Sequence, residues 1–419
     1  MPSSGFTTMA KPLAREARKL SSIRGTMSVF TPKQQVELEE LALHEGAAVL
    51  LRRALAQLAP GEWLEVRGDS AELAEHLAAW CRKEGHGFAA TLGAKGAYRI
   101  QASAAAPIIA TARGEVAESA DPSWGLAPRG ASVERGGPQF AFTLREKRDV
   151  WARELNTIYK QSVASQWSAA RDVPWDRLPK LPTEVEGAVA QVMTFLTENE
   201  FAALYVPARF IPRIHPHYRE VVEVLAMQVV DEARHAEAFT RRAECGGAGL
   251  GTTAVSGQLS LKTLLEEPDF TVAAFLLCVM GEGTFLTLLK FLSECAPDPV
   301  TNVLASLAHR DEARHVAFGV EHLRYVLERE PERRISLAAA VERRSRMLAS
   351  ISGLSPYVHD ALVIMAGGGI GVAQVRAGAR RVTDLHREMD RERRARLQSL
   401  GFSPDVAAQM SVYHTKNFM

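Results

Sequence analysis

The 419-residue chain is poor in cysteine, with four scattered at Cys81, Cys245, Cys278 and Cys295. That is too few for a disulfide framework. None forms a C-x-x-C pair, which excludes a zinc ribbon, a rubredoxin centre and a thioredoxin-type redox motif. An excess of charge is also lacking: 50 Lys plus Arg against 49 Asp plus Glu leave a formal charge of +1. A protein built around bulk phosphate contact would be strongly basic, so nucleic acid is not an expected partner. No apolar h-region accompanies the early basic residues Lys11, Arg15, Arg18, Lys19 and Arg24. Residues 1–35 therefore read as a basic tail, not a secretory signal. Long apolar runs are scarce, the one candidate being Phe270 to Leu292, and Glu282 in its middle would be costly in lipid. A buried helix explains it better, with no membrane association. These absences point to a reduced, soluble, cytoplasmic protein whose 47% hydrophobic content supplies a sizeable core.

Texture changes along the chain. Between residues 36 and 103 an apolar-periodic run, Leu38 to Leu58, ends at Ala59-Pro60-Gly61. Trp63 to Arg67 alternates like a strand, Ser70 can cap a helix reaching Lys83, and Gly85 to Ile100 reads as one or two strands. A small α+β domain is expected there. Residues 104–141 are broken by Pro and Gly and read as a linker or irregular wrapping segment. From 142 to 419 the pattern is helical, with helices predicted over 144–170, 183–206, 218–244, 260–266, 270–295, 299–328, 333–351, 356–378, 380–399 and 404–411. The fold class is mainly α: a four-helix bundle with extra C-terminal helices, preceded by the α+β domain.

An internal repeat carries the chemistry. Asp231-Glu232-Ala233-Arg234-His235 recurs letter for letter 80 residues later as Asp311-Glu312-Ala313-Arg314-His315. On a helix, i and i+3 share a face, so Glu232 with His235, and Glu312 with His315, each converge on one spot. A glutamate in an apolar helix precedes each copy. One is Glu282; the other is Glu198, or Glu200 two positions on. Aligning Glu198-x-x-Phe201 with Glu282-x-x-Phe285 selects Glu198. Two helices supplying one Glu each and two supplying Glu-x-x-His form the ligand pattern of a di-iron or di-manganese carboxylate bundle. Carboxylates bridge two hard or borderline cations, and one imidazole per metal leaves positions open for dioxygen. Metal-bound histidines normally donate their second N–H to a carboxylate. Asp231 and Asp311 are expected to fill that role, each toward the histidine of the opposite repeat, with Arg234 and Arg314 holding the aspartates or neighbouring carboxylates.

Other residues weigh less. His309, three before Glu312, reads as a polar position near the site, with a seventh ligand the alternative. His215 and His217 flank Pro216 at an expected solvent-exposed turn, and Cys278 and Met280 read as packing residues. The Arg-rich stretch 376–396 alternates with Asp384, Glu388, Asp390 and Glu392, as a salt-bridged helix face does.

At Glu198, Glu232, His235, Glu282, Glu312 and His315 the region 144–330 resembles the ferritin-like di-iron carboxylate superfamily. That resemblance implies a non-haem oxidase or oxygenase holding two Fe ions, or Mn/Fe, and using O2 to hydroxylate, N-oxygenate or desaturate a small organic substrate. Without rubredoxin or flavin motifs, electrons would come from an external reductase or from the substrate. The alternatives are a rubrerythrin-like peroxidase, ferroxidase or iron-handling protein, and a tRNA-modification or metal-stabilised binding component. Helices beyond 330 imply a homodimer or a covered substrate pocket. The N-terminal unit is similar to the TusA-like sulfur-carrier fold, in the order helix, PGEWLEV strand, GDSAELAEHLAAWCRKEGH helix, strand pair. Those carriers begin the first helix with a reactive Cys-Pro. Here the stretch reads Leu43-His44-Glu45-Gly46, so the unit reads as a module for binding a partner or substrate.

Overall fold

The computed structural model describes residues 34–90, 96–103, 108–112, 114–134, 137–349, 354–414 and 418. The basic residues Lys11 to Arg24 lie outside that set. The chain divides into two compact units, Met1–Pro107 and Ile108–Met419.

The first unit contains β1 (Gln34–Glu37), α1 (Ala47–Leu55), β2 (Trp63–Arg67), α2 (Leu73–Glu84), β3 (Gly87–Ala90) and β4 (Ala97–Gln101). They build one sheet of order β1-β2-β4-β3, in which only the β1–β2 pair is parallel. Alternation in β2 buries Leu64 and Val66 and turns Glu65 and Arg67 to the other face. Leu51 of α1, Leu77 and Cys81 of α2, and Ile100 of β4 close the core over them. Burial pushes the Cys81 thiol up to about 11, the behaviour of a packing cysteine. β1 was not expected from sequence: Gln34-Gln35-Val36-Glu37 carries one apolar residue, and the strand is held by its pairing with β2.

The second unit opens with a two-stranded pair, β5 (Ile108–Ala110) and β6 (Ser132–Glu134). Helices follow: α3 (Lys147–Val150), α4 (Leu155–Ala164), α5 (Thr183–Phe210), α6 (Arg219–Cys245), α7 (Val255–Leu265) and α8 (Phe270–Ala274). A π-helical stretch, Phe275–Glu282, joins α8 to α9 (Gly283–Cys295) as one continuous rod. Then come α10 (Pro299–Arg329), α11 (Arg333–Met347), α12 (Pro356–Gly367), α13 (Val372–Ser399) and α14 (Pro404–Tyr413). Asp298 caps α10 by accepting the Thr301 N–H at 2.8 Å, ahead of Pro299 at a position where its missing N–H costs nothing.

Helix α5 pairs with α6, α9 with α10, and α6 packs on α10, which makes a four-helix bundle. Helix α12 covers α5, and α13 covers α9. The rod Phe270–Cys295 is apolar and long enough to cross a membrane, but most of it is buried inside this unit. The fold class is that of a ferritin-like helical bundle with an N-terminal sheet unit.

Three sequence expectations change. The predicted helix 144–170 breaks into α3 and α4, and the Trp151 carbonyl between them pairs with His322 Nδ1 at 2.8 Å instead of a helical N–H. The division expected at 379 falls at 368–371, where Gly368 takes a left-handed φ of 75° and the chain bends by 111°. Residues 108–141 belong to the helical unit as a wrap, not a linker. Ala120 is fully buried, the Ala117 N–H donates to His217 Nε2 at 3.0 Å, and the Tyr218 hydroxyl lies 3.2 Å from the Glu118 carbonyl. The wrap buries His215 and His217, which the sequence placed in solvent.

Candidate metal centre

Along α5, Val189, Met193, Leu196, Glu200, Ala203, Pro207 and Phe210 recur at spacings of three and four, and all are buried. Glu200 therefore enters the bundle interior on the apolar stripe. Glu198 leaves on another face, where it pairs with the Thr253 hydroxyl. The selection of Glu198 from the internal alignment is thus corrected to Glu200. The alignment failed because its anchor, Phe285, is buried while Phe201 is half exposed. The π-helical stretch before Glu282 also shifts the register of that half by a fraction of a turn, and α5 has no such insertion.

The structure brings together Glu200, Glu232, His235, Glu282, Glu312 and His315, all buried. They form two overlapping groups. One holds Glu200, Glu232, His235 and Glu312; the other holds Glu232, Glu282, Glu312 and His315. Within each, one donor atom per residue lies within 4.8 Å of all the others. Glu232 and Glu312 belong to both. His309 is partly exposed and lies in neither group.

The aspartates cross between the repeats. His235 Nε2 lies 3.1 Å from Asp311 Oδ2, and His315 Nε2 lies 3.4 Å from Asp231 Oδ2. Each ring therefore turns Nδ1 toward the glutamates: His235 Nδ1 is 3.2 Å from Glu232 Oε2, and His315 Nδ1 is 3.4 Å from Glu312 Oε2. Arg234 pairs with Asp231 and reaches Asp311 Oδ2 at 2.8 Å; Arg314 pairs with Asp311. Three further residues were not singled out from sequence. Trp167 Nε1 donates to Asp311 Oδ2 at 2.6 Å, Gln166 Nε2 to Asp231 Oδ1 at 2.9 Å, and Gln228 Nε2 to Glu282 Oε1 at 2.8 Å. Gln166 and Trp167 fall within the helix predicted over 144–170 but sit in the irregular chain after α4, which ends at Ala164. Gln228 lies one helical turn before Asp231 on α6, a spacing that could have flagged it.

Burial pushes the Glu200 and Glu282 carboxyls well above their ordinary range, reinforced by Glu232 and Glu312 respectively. For Glu232 burial acts upward too, but His315 and His235 overcome it and hold the carboxyl far below that range. The imidazoles show the reverse balance. Burial would strip their protons, yet Asp311 and the glutamates keep His235 protonated well above its usual pKa, and Glu232 and Asp231 do so for His315.

As metal ligands all four glutamates would be ionised and both imidazoles neutral, which would leave four negative charges to be balanced by the ions. Glu200 Oε1 and Glu282 Oε2 are buried without a hydrogen-bond partner, and Glu232 Oε1 and Glu312 Oε2 face only His315 Nδ1, at 3.1 and 3.4 Å, without a hydrogen bond to it. An orphaned buried carboxylate oxygen is costly, and four at one spot call for cations. The donor set fits: oxygen-rich, one imidazole per group, and two shared carboxylates. Fold and site together define a ferritin-like bundle whose carboxylate–histidine cluster is able to hold two metal ions.

No family model matches the chain, and no curated protein does. Solved structures of R2-like ligand-binding oxidases are similar to it. A point variant with aerobically reconstituted Mn/Fe cofactor is 16% identical, covering 62% of this chain and 94% of that one at a TM-score of 0.43. An R2-like ligand-binding oxidase without metal cofactor is 15% identical, covering 61% of this chain and 96% of that one at a TM-score of 0.40.

Proposed function

We propose that the protein is a di-metal oxidase or oxygenase that uses dioxygen to oxidise a small organic substrate. The four orphaned glutamate oxygens converging from two copies of one motif carry this reading. Glu200 and His235 would hold one ion, Glu282 and His315 the other, and Glu232 and Glu312 would serve both. Two iron ions, or manganese with iron, fit this donor set and would supply the redox chemistry of dioxygen activation. The remaining work falls to the protein. Asp311 and Asp231 fix the ring orientations of His235 and His315, and Gln228 holds one oxygen of Glu282. Phe239, Phe285 and Phe318, all fully buried, help keep the surroundings dry. Hydroxylation, N-oxygenation and desaturation all suit such a site, with electrons from an external reductase or from the substrate.

For the first unit we propose a carrier-like binding module. Its order of helix, strand, helix and strand pair supports this, and Leu43–Glu45 forms a short turn with no thiol for sulfur transfer. The test of the main reading is anaerobic Fe(II) titration followed by oxygen uptake, with Glu232→Ala as the comparison. Two ions per chain and oxygen consumption lost in the variant are expected. Equal uptake by both proteins would sink the reading.

A further inference from the structure

The Arg-rich face of α13 was expected to be solvated and salt-bridged, and Arg387, Arg391 and Arg394 do pair there with Asp384, Glu388 and Asp390. Arg393 departs from them. It is turned inward and 8% exposed, and its bonds go to neutral hydroxyls: Nε to Ser411 Oγ at 3.2 Å and Nη1 to Thr284 Oγ1 at 3.4 Å. Among the described residues no carboxylate lies within ion-pair distance of it. The nearest acid, Asp390, reaches it only through the Ser411 hydroxyl and is shared with Arg394, so the buried guanidinium has no ion-pair partner of its own, a costly arrangement that an anion would relieve.

A cavity of about 580 Å³ opens onto this group, within the size range of small-ligand sites. Its deep end has Met389, Ser411, His414 and Phe418, all buried; Val412 and Asp360 stand exposed at the mouth. Burial, together with Arg393, Arg344 and Arg396, drives the proton off His414, so the ring is neutral and the positive field at the deep end is that of the arginines. Two acids line the cavity. Asp390 is occupied by Arg394 at 3.0 Å and by the Ser411 hydroxyl at 2.6 Å, while Asp360 lies at the rim. Their charge works against a dianion. Thr284 follows Glu282 by two residues on a helix, so it faces away from the metal centre and the cavity is a separate place.

We propose that this cavity binds a small monocarboxylate with an apolar body, its carboxylate on Arg393 and its body against Met389 and Phe418. A planar guanidinium is suited to carboxylate recognition. The inference does not rest on the reading of the metal centre.

Titration calorimetry on the full metal-loaded chain tests it, with benzoate, hexanoate and inorganic phosphate as probes. Saturable one-to-one binding of benzoate or hexanoate is expected, tighter than phosphate and weakened roughly tenfold or more by Arg393→Gln. Val412→Trp, at an exposed mouth position, should weaken it similarly without touching the core, and it decides the matter if Arg393→Gln fails to fold. Binding should persist in Glu232→Ala. The proposal is overturned if neither acid binds, if phosphate binds more tightly, if Val412→Trp leaves the affinity unchanged, or if Glu232→Ala abolishes binding, which would put the acid on the metals.

Discussion

Positions 242 and 322 are the same place in the repeat, each seven residues past its histidine, and the two halves fill it with opposite chemistry. Arg242 is fully buried and charged. It bonds Glu186 Oε1 at 2.5 Å, Asp298 Oδ2 at 2.8 Å and Thr301 Oγ1 at 2.9 Å, tying α6 to the start of α10. His322 is equally buried but neutral, between Thr271 Oγ1 at 3.0 Å and the Trp151 carbonyl at 2.8 Å, tying α10 to the start of α8. Burial holds the His322 imidazole down to about 4. A second pair repeats the lesson. Phe239 packs its ring near His235, whereas position 319 is Gly because a Cβ there would collide with Cβ of Cys278 in the π-helical stretch. The metal-facing pentapeptide is identical in both halves, and the residues around it differ because each half meets different neighbours.

The comparison can be broken at the centre first. Glu200→Ala should lose at least one of two bound ions by elemental analysis, while Glu198→Ala retains both; the opposite pattern would restore the internal alignment. Next come the crossed aspartates. Removing such a partner typically costs about 10–100-fold in metal affinity. Asp311→Asn should fall toward the upper end, because Asp311 sits nearer its histidine and also holds Trp167. Asp231→Asn should fall toward the lower end, and competitive chelator titration checks the ranking.

Smaller effects test the flanking positions. Gly319→Ala should destabilise by about 1–3 kcal/mol in chemical denaturation, through overpacking against the π-helical stretch. Last is pH. His322 has a folded pKa of about 4, below its ordinary 6.5, so the unfolded chain binds the extra proton. The stability contributed is complete above 6.5 and is lost as pH falls toward 4, at up to about 1.4 kcal/mol per pH unit. His217, also held down to about 4 by burial, acts in the same direction. Melting curves between pH 6.5 and 5 should therefore flatten, without becoming level, in His322→Gln.

Much of this was legible before folding. Identical D-E-A-R-H copies on strongly periodic helices specify i,i+3 geometry within one turn, which is why four of the six clustered residues and both aspartates could be named, and Glu282 stood out as the charge within an apolar run. Glu200 was legible too, on the stripe from Val189 to Phe210, had periodicity been weighed above the Phe201–Phe285 alignment. Gln166 and Trp167 were hidden inside a predicted helix that ends at Ala164, and the burial of His215 by the 108–141 wrap carried no such signal, since irregular chain has no period to read.

Helix identity and ligand type are local properties, set by side chains one turn apart and by caps such as Asp298, and the order of residues along the chain is enough to state them. Three other features are non-local: the π-helical offset that aims Glu282, the burial of Arg393 without an ion-pair partner among the described residues, and the charge of position 242 against the neutrality of position 322. Each depends on which distant segment packs against the residue, and burial free energy is settled only when those segments meet.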